Sequence, residues 1–439
     1  MAQDFAWGRL FQWPQAMNPL TDRNNALPKL ESAQQSYLAH GLGRSYGDSC
    51  LNKDGLLVSS KQLQQFIAFD PTTGILEAEA GVSLKAILEF AVPRGWFLPV
   101  TPGTKYVTLG GAIANDVHGK NHHSAGTFGC HVHSFSLLRS DGEHFQCSPH
   151  EHSDFFKATI GGLGLTGFIT SAKLALKKIT GPWMDVDSFR YTNFDEFCAL
   201  STKAAKEYEY TVAWVDALAQ GDSLGQGLFL AANHRQLPYS NGTDPYKPTK
   251  PKLSIPFEFP NIALNALSIK AFNFAYINQQ RVPYKQSVQH FNPYFYPLDG
   301  IGTWNKIYGR RGFYQYQCAI PPNKEAMRAI MQTIANASSG SFLTVLKEFG
   351  DIQSPGLLSF PLPGFTFALD FPNKGEKTLA LLNRLDQMVL DAQGRVYPAK
   401  DARMSPDAFA AFFPQWQAFT QFIDPAFSSS FWRRVQPTL

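Results

Sequence analysis

Three glycine-rich stretches constrain this chain more than any other feature. They read HGLGRSYGDSC (His40 to Cys50), PGTKYVTLGGAIANDVHGKNHH (Pro102 to His123) and TIGGLGLTG (Thr159 to Gly167). Lacking a Cβ, glycine lets backbone N–H groups turn toward an anion and approach it closely. None of the stretches has the spacing of a P-loop or of GxGxxG. One such cluster alone is ordinarily a set of turns. Three in one region, each joined to a strand, point instead to a pyrophosphate held between loops, and so to a dinucleotide site.

His118, His122 and His123 crowd the second stretch. On a helix His118 and His122 would share a face, but the glycines around them disfavour a helix. No HExxH and no carboxylate pair completes a ligand set, and a structural metal site normally needs four ligands. The reading is no metal, with His122 and His123 structural.

With 439 residues, 44% hydrophobic and 17% charged, the chain should form two domains, each with its own core. A formal charge of +4 is too small and diffuse for nucleic acid. No apolar run approaches the roughly 18 residues of a membrane-spanning helix, and the N-terminal residues lack the pattern of a secretory signal. Cys50, Cys130, Cys147, Cys198 and Cys318 are scattered without a CxxC pair, so free thiols in a reducing cytoplasm are expected.

In residues 1–181 short strands and tight turns dominate. GILEAEAGV alternates Leu76, Ala78 and Ala80 against Glu77 and Glu79, as a half-buried strand does. SLKAILEFA shifts to a helical period behind an N-cap at Ser83. Asp141-Gly142 predicts a two-residue hairpin. From about Gly181 helices alternate with the strands YTVAWVDAL, GFYQYQCAI, SFLTVLKEFG and GFTFALDFP, which predicts a second α+β domain on an antiparallel sheet, residues 182–394. Within it Pro238, Pro245, Pro248, Pro251, Pro256 and Pro260 predict a flexible lid over about 235–289. Its apolar residues Phe257, Phe259, Ile262 and Leu264, with Lys247, Lys250 and Lys252 beside them, suggest an entrance at a bilayer surface.

The motifs GLGRSYGD, TPGTKYVTLGGAIANDVHGKNHHSAGTFG, IGGLGLTG, YPAKDAR and DPAFSSSFWRR resemble those of vanillyl-alcohol-oxidase-type flavoproteins, and within them the decaprenylphosphoryl-ribose 2′-oxidase family. The resemblance runs nearly end to end. It implies a two-domain α+β FAD-binding fold in which residues 395–439 return to the first domain. By matching motifs, Gly41, Leu42, Gly43, Arg44, Ser45, Tyr46, Gly47 and Asp48 should enclose the FAD pyrophosphate and ribityl chain. Gly103, Thr108, Leu109, Gly110 and Gly111 should join them, followed by Asn115, Asp116, Val117 and His118. Ile169 and Tyr397 match positions closing around other parts of the flavin. Arg44 stands where covalent relatives carry a linking histidine, so the FAD should be non-covalent.

The same resemblance makes Lys400 and His118 the catalytic pair, either of which could take the hydroxyl proton; a lysine base needs its pKa lowered. It assigns the substrate to Tyr46, Lys120, Trp214, Gln315, Gln317, Lys347 and Phe349. Alternation independently sets Gln315 and Gln317 on one strand face. Ala368 and Phe295 depart from the cysteine and tyrosine found there in other members of that family. The implied reaction is oxidation of a secondary sugar hydroxyl, C2′ of a polyprenyl-phosphoribose, as the first half of an epimerisation that an NAD(P)H-dependent short-chain reductase completes. The implied location is cytoplasmic, extending to peripheral contact at the inner face of the plasma membrane. The alternatives are a soluble sugar, alditol or aldonolactone oxidase using oxygen, and a catalytically silent flavin-binding module.

Overall fold

A computed structural model describes residues 6–236, 253–260, 264–338 and 341–437. Two antiparallel sheets dominate it. The smaller has five strands in the order Phe66–Phe69, Ile75–Glu79, Phe168–Ala175, Val132–Leu138 and His144–Cys147. Leu76, Ala78 and Ala80 face its core as the alternation requires, and the helix Leu84–Ala91 follows with Ser83 accepting from Ala86 N at 3.1 Å. Glu79 is also buried, its carboxylate accepting from Gln65 N at 2.8 Å. The hairpin is one residue longer than Asp141-Gly142 predicted. Arg139 N donates to Glu143 O and Gly142 N to Arg139 O, with Gly142 at φ 91°, which describes a three-residue loop ending on a left-handed glycine.

The larger sheet has eight strands, antiparallel throughout. Its order is Tyr284–His290, Trp183–Tyr191, Gly227–His234, Tyr210–Val215, Thr344–Phe349, Gly364–Pro372, Phe313–Ile320 and Arg395–Val396. Helices Phe194–Glu207, Lys324–Asn336 and Glu376–Asp391 bury their apolar stripes in the core on one face of this sheet. A parallel three-stranded sheet, Ala16–Pro19, Leu56–Ser59 and Tyr37–His40, delivers the first glycine loop at the end of its last member.

The C-terminal residues are tied to the N-terminal region. Arg434 reaches both Asp48 (2.7 Å) and Asp401 (2.9 Å), and Tyr37 bridges to Phe427. Residues 237–252 and 261–263 of the predicted lid, with Lys247, Lys250, Lys252 and Ile262, lie outside the described residues. The later part of that segment is regular, which corrects the expectation of a break reaching 289. Ala266–Asn278 is a helix started by a capping box at Asn265 and Ser268, and Tyr284–His290 pairs with Trp183–Tyr191. No helix of the described residues is long and apolar enough to cross a membrane.

Candidate active site

A cavity of about 750 Å³ opens where the first glycine loop, residues 101–120 and the larger sheet converge. Its two ends differ in chemistry. At one end Gly41, Leu42, Gly43, Arg44 and Ser45 form the wall with Gly103, Thr108, Gly110 and Gly111. Gly43 holds φ 62°, a Cβ on Gly41 would stand 2.5 Å from Thr108 Oγ1, and Gly103 faces open space. Thr108 caps the short helix Leu109–Ala114 by accepting from Gly111 N at 3.1 Å. The backbone amides of Leu42, Gly43, Arg44 and Ser45 meet no acceptor among the described residues. Arg44 is held by the Trp7 ring, 4.1 Å from its guanidinium carbon, and by Tyr106 O at 3.1 Å. Asn115, Val117, Ile169 and Tyr397 continue the wall, the Tyr397 hydroxyl donating to Asn115 O at 2.9 Å.

At the other end His118, Lys120, Lys347 and Lys400 share the wall with Tyr46, Trp214, Gln315 and Gln317. Lys347 Nζ lies 3.4 Å from His118 Nδ1 and donates to Gly119 O at 3.1 Å. The Gln317 amide meets His118 Nε2 and Thr366 Oγ1, each at 3.0 Å. Lys120 donates to Tyr294 O and lies over the Tyr294 ring. Lys400 Nζ is 5.7 Å from the centre of the Tyr46 ring. Enclosure away from bulk water lowers all three lysines, Lys120 and Lys347 to about 7 and Lys400 to about 8, and the other two lysines push Lys347 down further. His118 is held well below its usual value, first by the same enclosure and then by Lys347 and Lys400. One buried carboxylate opposes these cations. Asp370 accepts from Gln315 Nε2 (2.7 Å) and the Tyr308 hydroxyl (2.8 Å); burial raises it to about 7, and it raises Lys400 in turn.

Comparison with known proteins agrees with this geometry. A family described as an FAD binding domain matches residues 24–148. Decaprenylphosphoryl-β-D-ribose oxidase of Mycolicibacterium smegmatis is 37% identical over 92% of this chain and 90% of its own length. The chain belongs to the decaprenylphosphoryl-β-D-ribose oxidase family. An uncharacterized protein in the mprA 5′ region of Streptomyces coelicolor is 31% identical over 81% of the chain and all of its own length. Cytokinin dehydrogenase 4 of Arabidopsis thaliana shares 30% identity over only 34% of the chain and 28% of its own length.

As a member of the decaprenylphosphoryl-β-D-ribose oxidase family the chain is an FAD-dependent oxidoreductase acting on CH–OH groups, and the cavity fits that cofactor. Unclaimed amides at Leu42 to Ser45 suit a diphosphate, and Gly103 leaves room for close approach. Five motif residues stand behind the wall rather than on it. A Cβ on Gly47 would overlap the Asp401 carbonyl oxygen, so this glycine serves chain packing. Asp48 is spent on Arg434, and Leu109 on the core. The buried Asp116 carboxylate accepts from Gly129 N (2.8 Å), Ser354 (2.5 Å) and Ser359 (2.5 Å), tying down the segment after Phe349. Phe349 supports the His118 ring from 4.9 Å and the His122 ring from 4.4 Å.

His123 bonds Tyr208 O at 2.9 Å and His122 is buried, while no group of His, Cys, Asp or Glu among the described residues could hold a metal. Asp370, Tyr276, Asp299 and Trp304 were not anticipated. Asp370 carried a signal, a lone acid in the apolar strand sequence GFTFALDFP. Tyr276 lay in the segment read as irregular.

Proposed function

We propose that this protein oxidises the C2′ hydroxyl of a polyprenyl-phosphoribose to the 2′-keto sugar. The relative in Mycolicibacterium smegmatis carries that lipid-linked ribose in its name. The observation that carries the reading is the cation-rich part of the cavity, where Lys120, Lys347 and Lys400 share the wall with His118 and would suit a phosphate-bearing sugar.

Bound FAD supplies the hydride acceptor. The protein's own residues handle the proton and the pose. Lys400, lowered to about 8, is neutral in a usable fraction near neutral pH and takes the hydroxyl proton at Nζ. His118 is a poor proton store beside two lysines, so its work is to orient. Gln317 Nε2 donates to the imidazole Nε2 while Lys347 stands at Nδ1, so the ring is held from both sides. Gln315 and Gln317 hold sugar hydroxyls, Tyr46 and Trp214 enclose the ring, and Lys120 and Lys347 hold the phosphate.

The same reading makes residues 1–181 the FAD domain and residues 182–394 the substrate domain, with 395–439 returning to the first. Tyr397, Lys400 and the Arg434 pairs support that return. It makes the FAD non-covalent, since Arg44 cannot form the histidyl bond. A 2′-ketone on a lipid carrier calls for a hydride-donating partner, an NAD(P)H-dependent short-chain reductase, and for peripheral contact with the membrane that holds the lipid. Anaerobic mixing tests the reading. Polyprenyl-phosphoribose should bleach the flavin, whereas bleaching by free pentoses, alditols or aldonolactones alone would replace it with the soluble-oxidase reading.

A further inference from the structure

Nine large apolar side chains are exposed among the described residues, and seven of them fall between Leu253 and Tyr284, so exposure is concentrated in one stretch of chain. The helix Ala266–Asn278 shows its character most clearly. Ile269, Asn273 and Ile277 face inward, while Leu267 and Phe274 point outward at 78% and 71% exposure, with Lys270 beside them. A helix meant for water carries polar residues on that outer face. The helix is nonetheless firmly seated: Asn273 donates to Asp216 at 2.6 Å, Phe272 packs on Phe342 and Tyr276 on Trp214.

Two further observations say what covers this face. First, it runs into the cavity. Tyr276 and Trp214 line the cavity wall, and Leu253 pairs with Ile301, another wall residue. Second, the charge along this stretch of chain is one-sided. Residues 253–311 hold six bases, Lys270, Arg281, Lys285, Lys306, Arg310 and Arg311, against two acids. Both acids are engaged, Glu258 with Arg9 and Arg310, Asp299 with Thr104 and Lys105 N. Residues 237–252, LPYSNGTDPYKPTKPK, add three lysines against one aspartate, the same sign of charge.

We propose that the outer face of the helix Ala266–Asn278, with Leu267, Lys270 and Phe274, rests on an anionic lipid bilayer and sets the cavity mouth against it. Apolar side chains enter the acyl boundary while the surrounding bases meet the headgroups. The proposal rests on the lipid-linked substrate reading and gives that contact a place.

Co-sedimentation of the FAD-loaded enzyme with vesicles tests it. The parent should bind phosphatidylglycerol/phosphatidylcholine vesicles and bind phosphatidylcholine alone more weakly. Leu267→Ser/Phe274→Ser should weaken binding by about tenfold or more, since each lost side chain removes a buried apolar contact. Flavin reduction by a short-chain, water-soluble phosphoribose should be unchanged in the variant. Equal vesicle binding by parent and variant, or none by either, overturns the bilayer contact while leaving the oxidase reading intact. A parent that is dimeric where the variant is monomeric overturns it too, since the face is then covered by a second copy. Failure of any phosphoribose to reduce the parent's flavin strikes the oxidase reading instead.

Discussion

Lys347 Nζ stands 3.4 Å from Nδ1 of His118, on a ring whose Nε2 meets the Gln317 amide at 3.0 Å. An imidazole so placed cannot easily become an imidazolium, because a second positive charge would form beside the first in an enclosed site. On the proposed function the proton of the oxidised hydroxyl goes to Lys400, and His118 keeps the reacting carbon in place.

Lys400→Ala should retain near-normal flavin and lower the rate of flavin reduction on the order of 10²–10⁴-fold. Stopped-flow reduction under anaerobic conditions reads this directly. An unchanged reductive half-reaction would remove Lys400 from the chemical step.

Asp370→Asn should move the rising limb of the pH profile for flavin reduction to lower pH. The carboxylate raises Lys400, so its removal lets the amine lose its proton earlier. A second readout is stability. Asp370 is raised to about 7 in the folded protein, so its contribution is complete at low pH and is lost as pH rises through about 7. The variant, which does not titrate there, should gain in unfolding temperature relative to the parent over that window. Parallel curves would mean that Asp370 is spectator to the charge balance.

Acid or heat should release all the flavin from the purified protein, because Arg44 lies in the cradle, held by Trp7 and Tyr106, and offers no linking nucleophile. Yellow colour retained in the precipitated polypeptide would contradict this.

Gly47→Ala should destabilise the fold by about 3 kcal/mol or more, since the added methyl would meet the Asp401 carbonyl, a backbone atom that cannot swing aside. Gly103→Ala, with no neighbour within 4 Å, should stay within about 0.5 kcal/mol of the parent in denaturant unfolding. Equal losses would show that the two glycines share one role.

Those two glycines show how far the motifs could be read. Both belong to glycine-rich motifs, yet Gly103 faces the cavity and Gly47 faces backbone 354 residues away (401 − 47), at Asp401. A missing Cβ is required in either case, so spacing alone cannot separate a cofactor contact from a packing contact. Strand alternation did reach the site: Gln315 and Gln317 share a face, pairing with Asp370 and Ala368. Asp370 itself escaped because its meaning depends on Gln315, Tyr308 and Lys400, which the sheet assembles from distant segments. The helix Ala266–Asn278 was hidden by the prolines ahead of it, although Asn265 and Ser268 already spelled its capping box.

On the proposed function hydride leaves C2′ of the lipid-linked ribose, and deuterium placed at that carbon tests this most directly. Anaerobic flavin reduction by 2′-deuterated polyprenyl-phosphoribose should be several-fold slower than by the unlabelled substrate, while deuterium at C1′ or C3′ should leave the rate unchanged. A primary isotope effect at another carbon, or no isotope effect on chemistry-limited reduction at any of the three, would contradict the account.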